Sequence, residues 1–315
     1  LDPKNIAFDV VLYFFNKHLY QQGNSFFNIK FMTRCGLISV LGQANAGKST
    51  LINALTGEKV SIVSEKPHTT RYEIYGIVCH EESQMIFVDT PGLIERPQGP
   101  LQSFMAKTTS RSLRDADIFM IIIDIACPIP ESTHQLLNRL KDKPLIIVFN
   151  KIDKISKEKL LPLAEKYRQW TPYIAMTSAK KGTGLSYLFD TIEKLIPEGH
   201  WLFDKEDLTQ ITQRFWAAEM TREKIFACVH QEIPYHLHVT TDEWTETPKK
   251  LLLRQTIIVD QDKYKKWVIG YQGQRIKLIG QKSRFELAHH LNKEVHLFLS
   301  VKVNPQWAVQ LKMES

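Results

Sequence analysis

The stretch Gly42-Gln43-Ala44-Asn45-Ala46-Gly47-Lys48-Ser49-Thr50 constrains this chain most, because it demands a strand before it and a helix after it. It reads G-x-x-x-x-G-K-[ST]. The apolar run Leu37-Ile38-Ser39-Val40-Leu41 precedes it, and Leu51-Ile52-Asn53-Ala54-Leu55, helical in pattern, follows. In that context the glycines let successive backbone N–H groups face one centre, and the helix start adds its positive dipole end. Lys48 can then reach the outer phosphates of a nucleoside triphosphate, and the Ser49 hydroxyl can bind Mg²⁺.

At 315 residues the chain is long enough for two domains. No apolar run approaches the roughly 18 residues of a membrane span. Cys35, Cys79, Cys127 and Cys228 lack paired spacing, which suits free thiols of a reducing compartment better than a disulfide framework or a metal site. The formal charge is +7, and 13 basic against 8 acidic residues from Pro234 to Ser315 place +5 of it in the last 82 residues. Such a surplus suits a polyanionic partner or a solvated surface.

Residues 1–31 carry eight aromatics and no Arg, and fit neither a transit peptide nor a signal peptide. Met32 stands just before the first strand, so residues 1–33 are expected to be an extension outside the core. From about residue 34 to Gly199, apolar strands alternate with amphipathic helices, the signature of an α/β domain with a mostly parallel sheet covered on both faces. Expected strands are Thr70–His80, Gln84–Val88, Ile118–Asp124, Pro144–Phe149 and Tyr173–Thr177. Expected helices are Gln102–Leu113, Ser132–Leu140, Ser156–Trp170 and Leu185–Leu195. After the boundary Pro197-Glu198-Gly199, residues 200–315 read as a second, α+β domain. It comprises a helix over Leu208–Gln231, strands Leu237–Thr240 and Leu251–Val259, two helices broken at Gly270-Tyr271-Gln272-Gly273, and a closing strand Val295–Val303.

Three further motifs lie at strand ends. Asp89-Thr90-Pro91-Gly92 places a carboxylate where it can hold Mg²⁺ through water, and the Gly92 N–H where it can sense a γ-phosphate. In Asn150-Lys151-Ile152-Asp153, the Asp153 carboxylate can accept two hydrogen bonds from the N1 and N2 edge of guanine. Adenine would leave it buried and unpaired, the kind of penalty that gives strong discrimination. Asn150 and the Lys151 stem would brace the loop and cover the base. Ser178-Ala179-Lys180 offers a backbone N–H near Ala179 to the guanine O6. Between the phosphate loop and Asp89, a hydroxyl of Thr69-Thr70-Arg71 could complete the Mg²⁺ shell when a γ-phosphate is present and release it after hydrolysis.

Taken together, these motifs mark a translation-factor-type GTPase. Glu219-Met220-Thr221-Arg222-Glu223-Lys224-Ile225, followed by Glu232-Ile233-Pro234-Tyr235, resembles the signature of the Era family of ribosome-assembly GTPases. So does Val268-Ile269-Gly270-Tyr271-Gln272-Gly273-Gln274-Arg275-Ile276-Lys277-Leu278-Ile279-Gly280. The resemblance runs collinearly over about residues 34–307. It implies a Ras-like P-loop G domain followed by a type II KH domain, with GTP/GDP and Mg²⁺ as ligands. It favours Thr70 over Thr69 beside Ser49 and Asp89 at the metal, and it places Asn45, Lys48, Thr70 and Gly92 around the reacting phosphate. It also implies recognition of the 3′ end of small-subunit ribosomal RNA during 30S maturation.

G-x-x-G between two helices lets an RNA backbone approach closely. Lys266, Ile269, Gly270, Tyr271, Gln272, Gly273, Arg275, Ile276 and Lys277 form the expected RNA surface. Three departures from the family pattern stand out. Gln43-Ala44 replaces a basic residue and Pro, bearing on loop stiffness. Tyr271-Gln272 lacks the usual Lys of the G-x-x-G loop. Leu93, a hydrophobic residue shared by the family, stands where a Ras-like water-positioning Gln would be. Asn45 is retained, and in related GTPases that position supports K⁺-assisted catalysis.

His289, His290 and His296 read as surface histidines, and Trp201, Trp216, Trp244 and Trp267 as packing residues. The expected location is cytoplasmic. The basic C-terminal region is compatible with peripheral association at an anionic inner membrane, which the sequence does not itself show, and no obligate protein partner is evident. Two alternatives stay open: a nucleotide-gated RNA-binding scaffold with little hydrolysis, and a related GTPase acting on tRNA.

Overall fold

The structure, a computed structural model, describes residues 33–64, 66, 69–92, 94, 97–229 and 233–311. The expectations for residues 1–32, for Leu93 and for Glu232 lie outside the described residues. The chain forms two compact units. The first takes in the described residues of Leu1–Ser61, Tyr72–Leu93 and Thr108–Gln210, and the second those of Ile62–Arg71, Ile94–Lys107 and Ile211–Ser315.

In the first unit, strands β1 (Arg34–Gly42), β2 (Ile74–His80), β3 (Ser83–Asp89), β4 (Ile118–Asp124), β5 (Leu145–Asn150) and β6 (Ile174–Thr177) make one sheet in the order β2-β3-β1-β4-β5-β6. Only β2 runs antiparallel to its neighbour. The helices are α1 (Lys48–Thr56), α2 (Gly99–Asp115, of which only the part from Thr108 groups with this unit), α3 (Glu131–Leu140), α4 (Leu160–Tyr167) and α5 (Leu185–Leu195).

Strand alternation divides the apolar residues between two cores. Ile38, Val40, Met120, Ile122 and Val148 pack with Leu51 and Ile52 of α1 and Leu188 and Ile192 of α5. Leu41, Ile121, Ile123, Ile147 and Phe149 pack with Leu137 of α3 and Tyr167 of α4. Coverage on both faces is why these strands read as unbroken Ile, Val and Phe.

Two segments depart from the sequence-based expectation for local reasons. The helix expected from Leu208 begins at Gln213, because residues 202–210 are used along the sheet. The Leu208 carbonyl accepts from Ile77 N–H at 2.9 Å, Gln210 accepts from Tyr75 N–H at 2.7 Å, and Gln84 accepts from the Leu202 and Phe203 N–H groups. These residues therefore group with the first unit. The strand expected from Thr70 begins at Ile74, because Thr69–Arg71 are bonded within the second unit.

The second unit contains α6 (Gln213–Cys228), capped by Thr212, whose hydroxyl accepts from Phe215 N–H at 3.2 Å. A sheet of β7 (Leu237–Glu246), β8 (Lys250–Val259) and β9 (Glu294–Val303) follows, with β7–β8 antiparallel and β8–β9 parallel. Between β8 and β9 lie α7 (Asp262–Ile269) and α8 (Gln274–Leu291), and after β9 comes the short α9 (Trp307–Gln310). One core joins Ile225, Phe226, Leu237, Ile257, Val268 and Ile279. The expected order of strands and helices is present, with β7 extended to Glu246. Trp267 is 38% exposed, with its ring edge-on to that of buried Tyr264 at 5.5 Å between centroids.

Candidate nucleotide site and RNA-facing turn

The loops that follow β1, β3, β5 and β6 all leave the carboxyl ends of parallel strands, where α/β sheets hold ligands. Gly47 has φ +96°, and a Cβ there would come within 2.3 Å of the Asn150 amide nitrogen, so only glycine lets these two loops meet. Asn150 uses both ends of its amide. Nδ2 donates to the Ala46 carbonyl at 2.9 Å, and Oδ1 accepts from Ala179 N–H at 3.1 Å and from Thr177 Oγ1 at 3.3 Å. One buried side chain thus ties the phosphate loop to two expected base-reading loops.

Lys48 is buried, and its Nζ donates to the Gly42 and Gln43 carbonyls at 3.1 and 3.0 Å. Burial pushes its pKa down to about 8, opposed by the Asp89 carboxylate. Ser49 Oγ donates to Asp89 Oδ2 at 2.7 Å, which brings a hydroxyl and a fully buried carboxylate together. These hard oxygen donors suit Mg²⁺. Thr90 is anchored through Oγ1 to the Val40 carbonyl at 2.8 Å, and a Cβ on Gly92 would lie 3.1 Å from Ala44 N, so the Asp89–Gly92 turn runs close to the phosphate loop. Gln43, the first of the two residues that depart from the family pattern, donates through Nε2 to Ser132 Oγ on α3 at 3.0 Å.

Lys151, in the left-handed region at φ 66°, reaches back to donate to the Asn45 carbonyl at 2.7 Å and to Asp124 Oδ2 at 2.6 Å. Asn45 is itself left-handed, at φ 63°. The Asp153 side chain is exposed rather than buried, and its orientation comes from Ser178 Oγ, which donates to Oδ1 at 2.6 Å and holds the carboxyl below its usual range. Ile152 and Lys180 lie in the same two loops. The structure brings together Ser49 and Asp89, while Thr70 is buried and its segment groups with the second unit.

Sequence reasoning missed Asp124, Ser132 and Thr177 as supports. Asp124 had a visible signal, a lone carboxylate ending an apolar strand.

In the second unit, α7 and α8 are joined by the turn Tyr271–Gly273. Gly270 has φ +74°, and a Cβ there would come within 2.7 Å of Arg275 Cβ, so the turn requires glycine. Lys266, Tyr271, Gln272 and Lys277 are exposed, while Ile269, Gly273, Arg275 and Ile276 are half-buried beside them. Tyr271, 77% exposed, offers its ring to solvent. Arg275 donates through Nη1 to the Trp267 carbonyl, closing the end of α7. His289, His290 and His296 are all exposed.

Residues 37–151 match the family described as "50S ribosome-binding GTPase", and residues 232–308 match the KH domain family. Over 280 residues the chain is 40% identical to GTPase Era of Mesorhizobium japonicum, covering 87% of this chain and 90% of that one. GTPase Era of Agrobacterium fabrum is also 40% identical over 280 residues, at 87% and 88% coverage. Among solved structures, Era in complex with MgGDPNP and nucleotides 1506–1542 of 16S ribosomal RNA is 37% identical, with a TM-score of 0.82, covering 89% of this chain and 97% of that one. A variant of Aquifex aeolicus Era bound to GDP and AlF4⁻ gives the same identity, TM-score and coverage.

Proposed function

Because this chain belongs to the GTPase Era family, we propose that it hydrolyses GTP with Mg²⁺ and binds the 3′ end of small-subunit ribosomal RNA through its KH domain, acting in 30S subunit assembly. The observation that carries the nucleotide half is the Asn150 amide, which locks the phosphate loop to the loops after β5 and β6. The site thereby reads triphosphate and base as one rigid unit.

In the reaction, water attacks the γ-phosphorus, the bond to the β–γ bridging oxygen breaks, and GDP and phosphate leave. Lys48 and the phosphate-loop N–H groups offset the charge on the phosphate oxygens. Ser49 and Asp89 would hold Mg²⁺, which when bound neutralises charge on the β- and γ-oxygens. Thr70 joins these residues when the γ-phosphate is present, and the Gly92 N–H senses that phosphate. No Gln follows Gly92 to orient the water, so help from a partner or from K⁺ near Asn45 accounts for turnover. Replacing K⁺ by Na⁺ in a single-turnover assay tests that contribution.

Support for the RNA half is the glycine-dependent turn between α7 and α8, with exposed Lys266, Tyr271 and Lys277 around it. Residues 1–33 are read as an extension, 34–199 as the G domain and 200–315 as the KH domain with its leading helix, with the stretch up to Gln210 grouping by contact with the first unit. Crosslinking in cells followed by sequencing of the attached RNA tests the RNA half. A 16S 3′-end footprint is expected, and a tRNA footprint would replace this reading by that of a tRNA-acting GTPase. Peripheral association with anionic membrane rests on the basic C-terminal balance alone; flotation with phosphatidylglycerol vesicles tests it.

A further inference from the structure

His80, Glu81 and Glu193 take no part in the nucleotide or RNA chemistry above. Among the described residues, they are the set whose ligand atoms, one imidazole nitrogen and two carboxylate oxygens, all lie within 4.8 Å of one another. His80 ends β2, Glu81 follows in the turn to β3, and Glu193 lies in the last turn of α5. In a continuing strand, consecutive residues such as His80 and Glu81 would face opposite ways. Glu81 is instead left-handed, at φ 48°, and the chain turns there so that its carboxylate comes beside the imidazole.

The two segments that carry these side chains are pinned by other bonds. The Glu82 carbonyl accepts from Arg34 N–H at 2.8 Å and from Trp201 Nε1 at 3.2 Å, which fixes the turn. Arg34 Nη1 donates to the Glu193 carbonyl at 3.0 Å, which ties the end of α5 to the same strand start. One turn before Glu193, the Phe189 ring stands edge-on to His80 with 5.4 Å between centroids. His80 Nδ1 and Glu193 Oε1 are 3.2 Å apart. A tetrahedral ion with ligands at about 2.0–2.1 Å sets neighbouring ligand atoms about 3.3–3.4 Å from one another. One edge of such a shell is therefore already formed, and rotation of the exposed Glu81 side chain closes the third corner.

We propose that His80, Glu81 and Glu193 bind a Zn²⁺ ion that clamps the turn between β2 and β3 to the end of α5. Two carboxylates balance the charge of the ion. The imidazole favours Zn²⁺ over Mg²⁺, which takes a strict octahedral shell of oxygens. Arg34 pairs with Ser83 and Val40 with Asp89, so the cluster lies at the amino ends of β1 and β3. That is about 20 Å along the strands from Asp89. The ion is thus structural and separate from the reaction. Because it binds the folded form, it raises the thermal midpoint as its concentration rises.

The test titrates Zn²⁺ into the full chain saturated with MgGDP, reading the heat of binding and the thermal midpoint. His80→Gln and Glu193→Gln each remove one ligand. Both should keep GDP affinity within about twofold of the parent, as distant sites do. Each should weaken Zn²⁺ binding by at least the roughly 10- to 100-fold that loss of a mere supporting partner causes. Each should also abolish the upward shift in midpoint that Zn²⁺ gives the parent. Parent-like Zn²⁺ affinity in both variants would put the ion on other histidines or thiols and overturn the proposal. So would a parent that binds no Zn²⁺, or binding that equimolar Mg²⁺ displaces.

Hydrogen exchange on the unaltered chain supplies a readout that needs no variant. With Zn²⁺, and not with equal Mg²⁺, the amides of residues 81–83 and of the last turn of α5 should slow together. Slowing of neither, or of one without the other, also overturns the clamp.

Discussion

The Asn150 amide nitrogen donates to the Ala46 carbonyl at 2.9 Å, joining the phosphate loop to the loop after β5. Replacing Asn150 by Ala strands the Ala46 carbonyl and the Ala179 N–H, at a cost of about 1–3 kcal/mol for each buried group left unsatisfied. Both GTP and GDP should then bind more weakly, by similar factors of at least about tenfold, because the bond serves the loops rather than the γ-phosphate. Isothermal titration with the two nucleotides checks this, and a loss confined to GTP would speak against it.

Ser49 and Asp89, 2.7 Å apart, define where Mg²⁺ would be held. Asp89→Asn keeps the shape and removes the charge, so Mg²⁺ affinity in the presence of nucleotide should fall about 10- to 100-fold. Titrating Mg²⁺ against hydrolysis rate reads this directly. An unchanged Mg²⁺ midpoint would take Asp89 out of the metal's surroundings.

Asp153 is positioned by the Ser178 hydroxyl at 2.6 Å. In Asp153→Asn that hydroxyl retains the amide oxygen, so the amide nitrogen faces the base and meets an acceptor in xanthine rather than a donor in guanine. Preference should swing from guanosine to xanthosine nucleotides by on the order of 10³-fold or more. Competition between GDP and xanthosine diphosphate measures it; unaltered GTP selectivity overturns the assignment.

Much of this site was legible because its motifs are local and each ends a strand. A run such as Leu145–Phe149 announces a buried strand, and Asn150-Lys151-Ile152-Asp153 must then sit at the sheet's edge. What stayed hidden depends on contacts distant in sequence. Ser132 became a partner of Gln43 through the packing of α3, and the start of α6 moved to Gln213 because Leu208 and Gln210 bond along β2. The apparent burial of Asp153 was an inference from its chemistry, and the chain alone leaves that carboxylate exposed. Arg222 and Glu219, a buried ion pair on α6, were visible only as a family signature, since periodicity cannot tell a buried ion pair from a solvated one.

Glu73 lies in a small cavity with Leu37, Tyr75, Arg111 and Asp115, and burial raises its carboxyl to about 7. A folded pKa above the unfolded one means that the protonated form favours folding. This stabilisation is complete below about pH 4.5 and is lost as pH rises toward 7. Glu73→Gln should remove that loss and raise stability at pH 8 by up to about 3 kcal/mol. Chemical denaturation at pH 5 and pH 8 checks it, and equal effects of the substitution at both pH values would contradict it.

The most direct test measures the affinity of the full chain for an oligoribonucleotide carrying the 16S 3′ end, once with GDP and once with a non-hydrolysable GTP analogue. A nucleotide-controlled RNA-binding GTPase predicts binding in both states with a several-fold difference between them, lost when Gly270→Asp disrupts the turn between α7 and α8. Equal affinity in the two nucleotide states, insensitive to Gly270, would contradict the account.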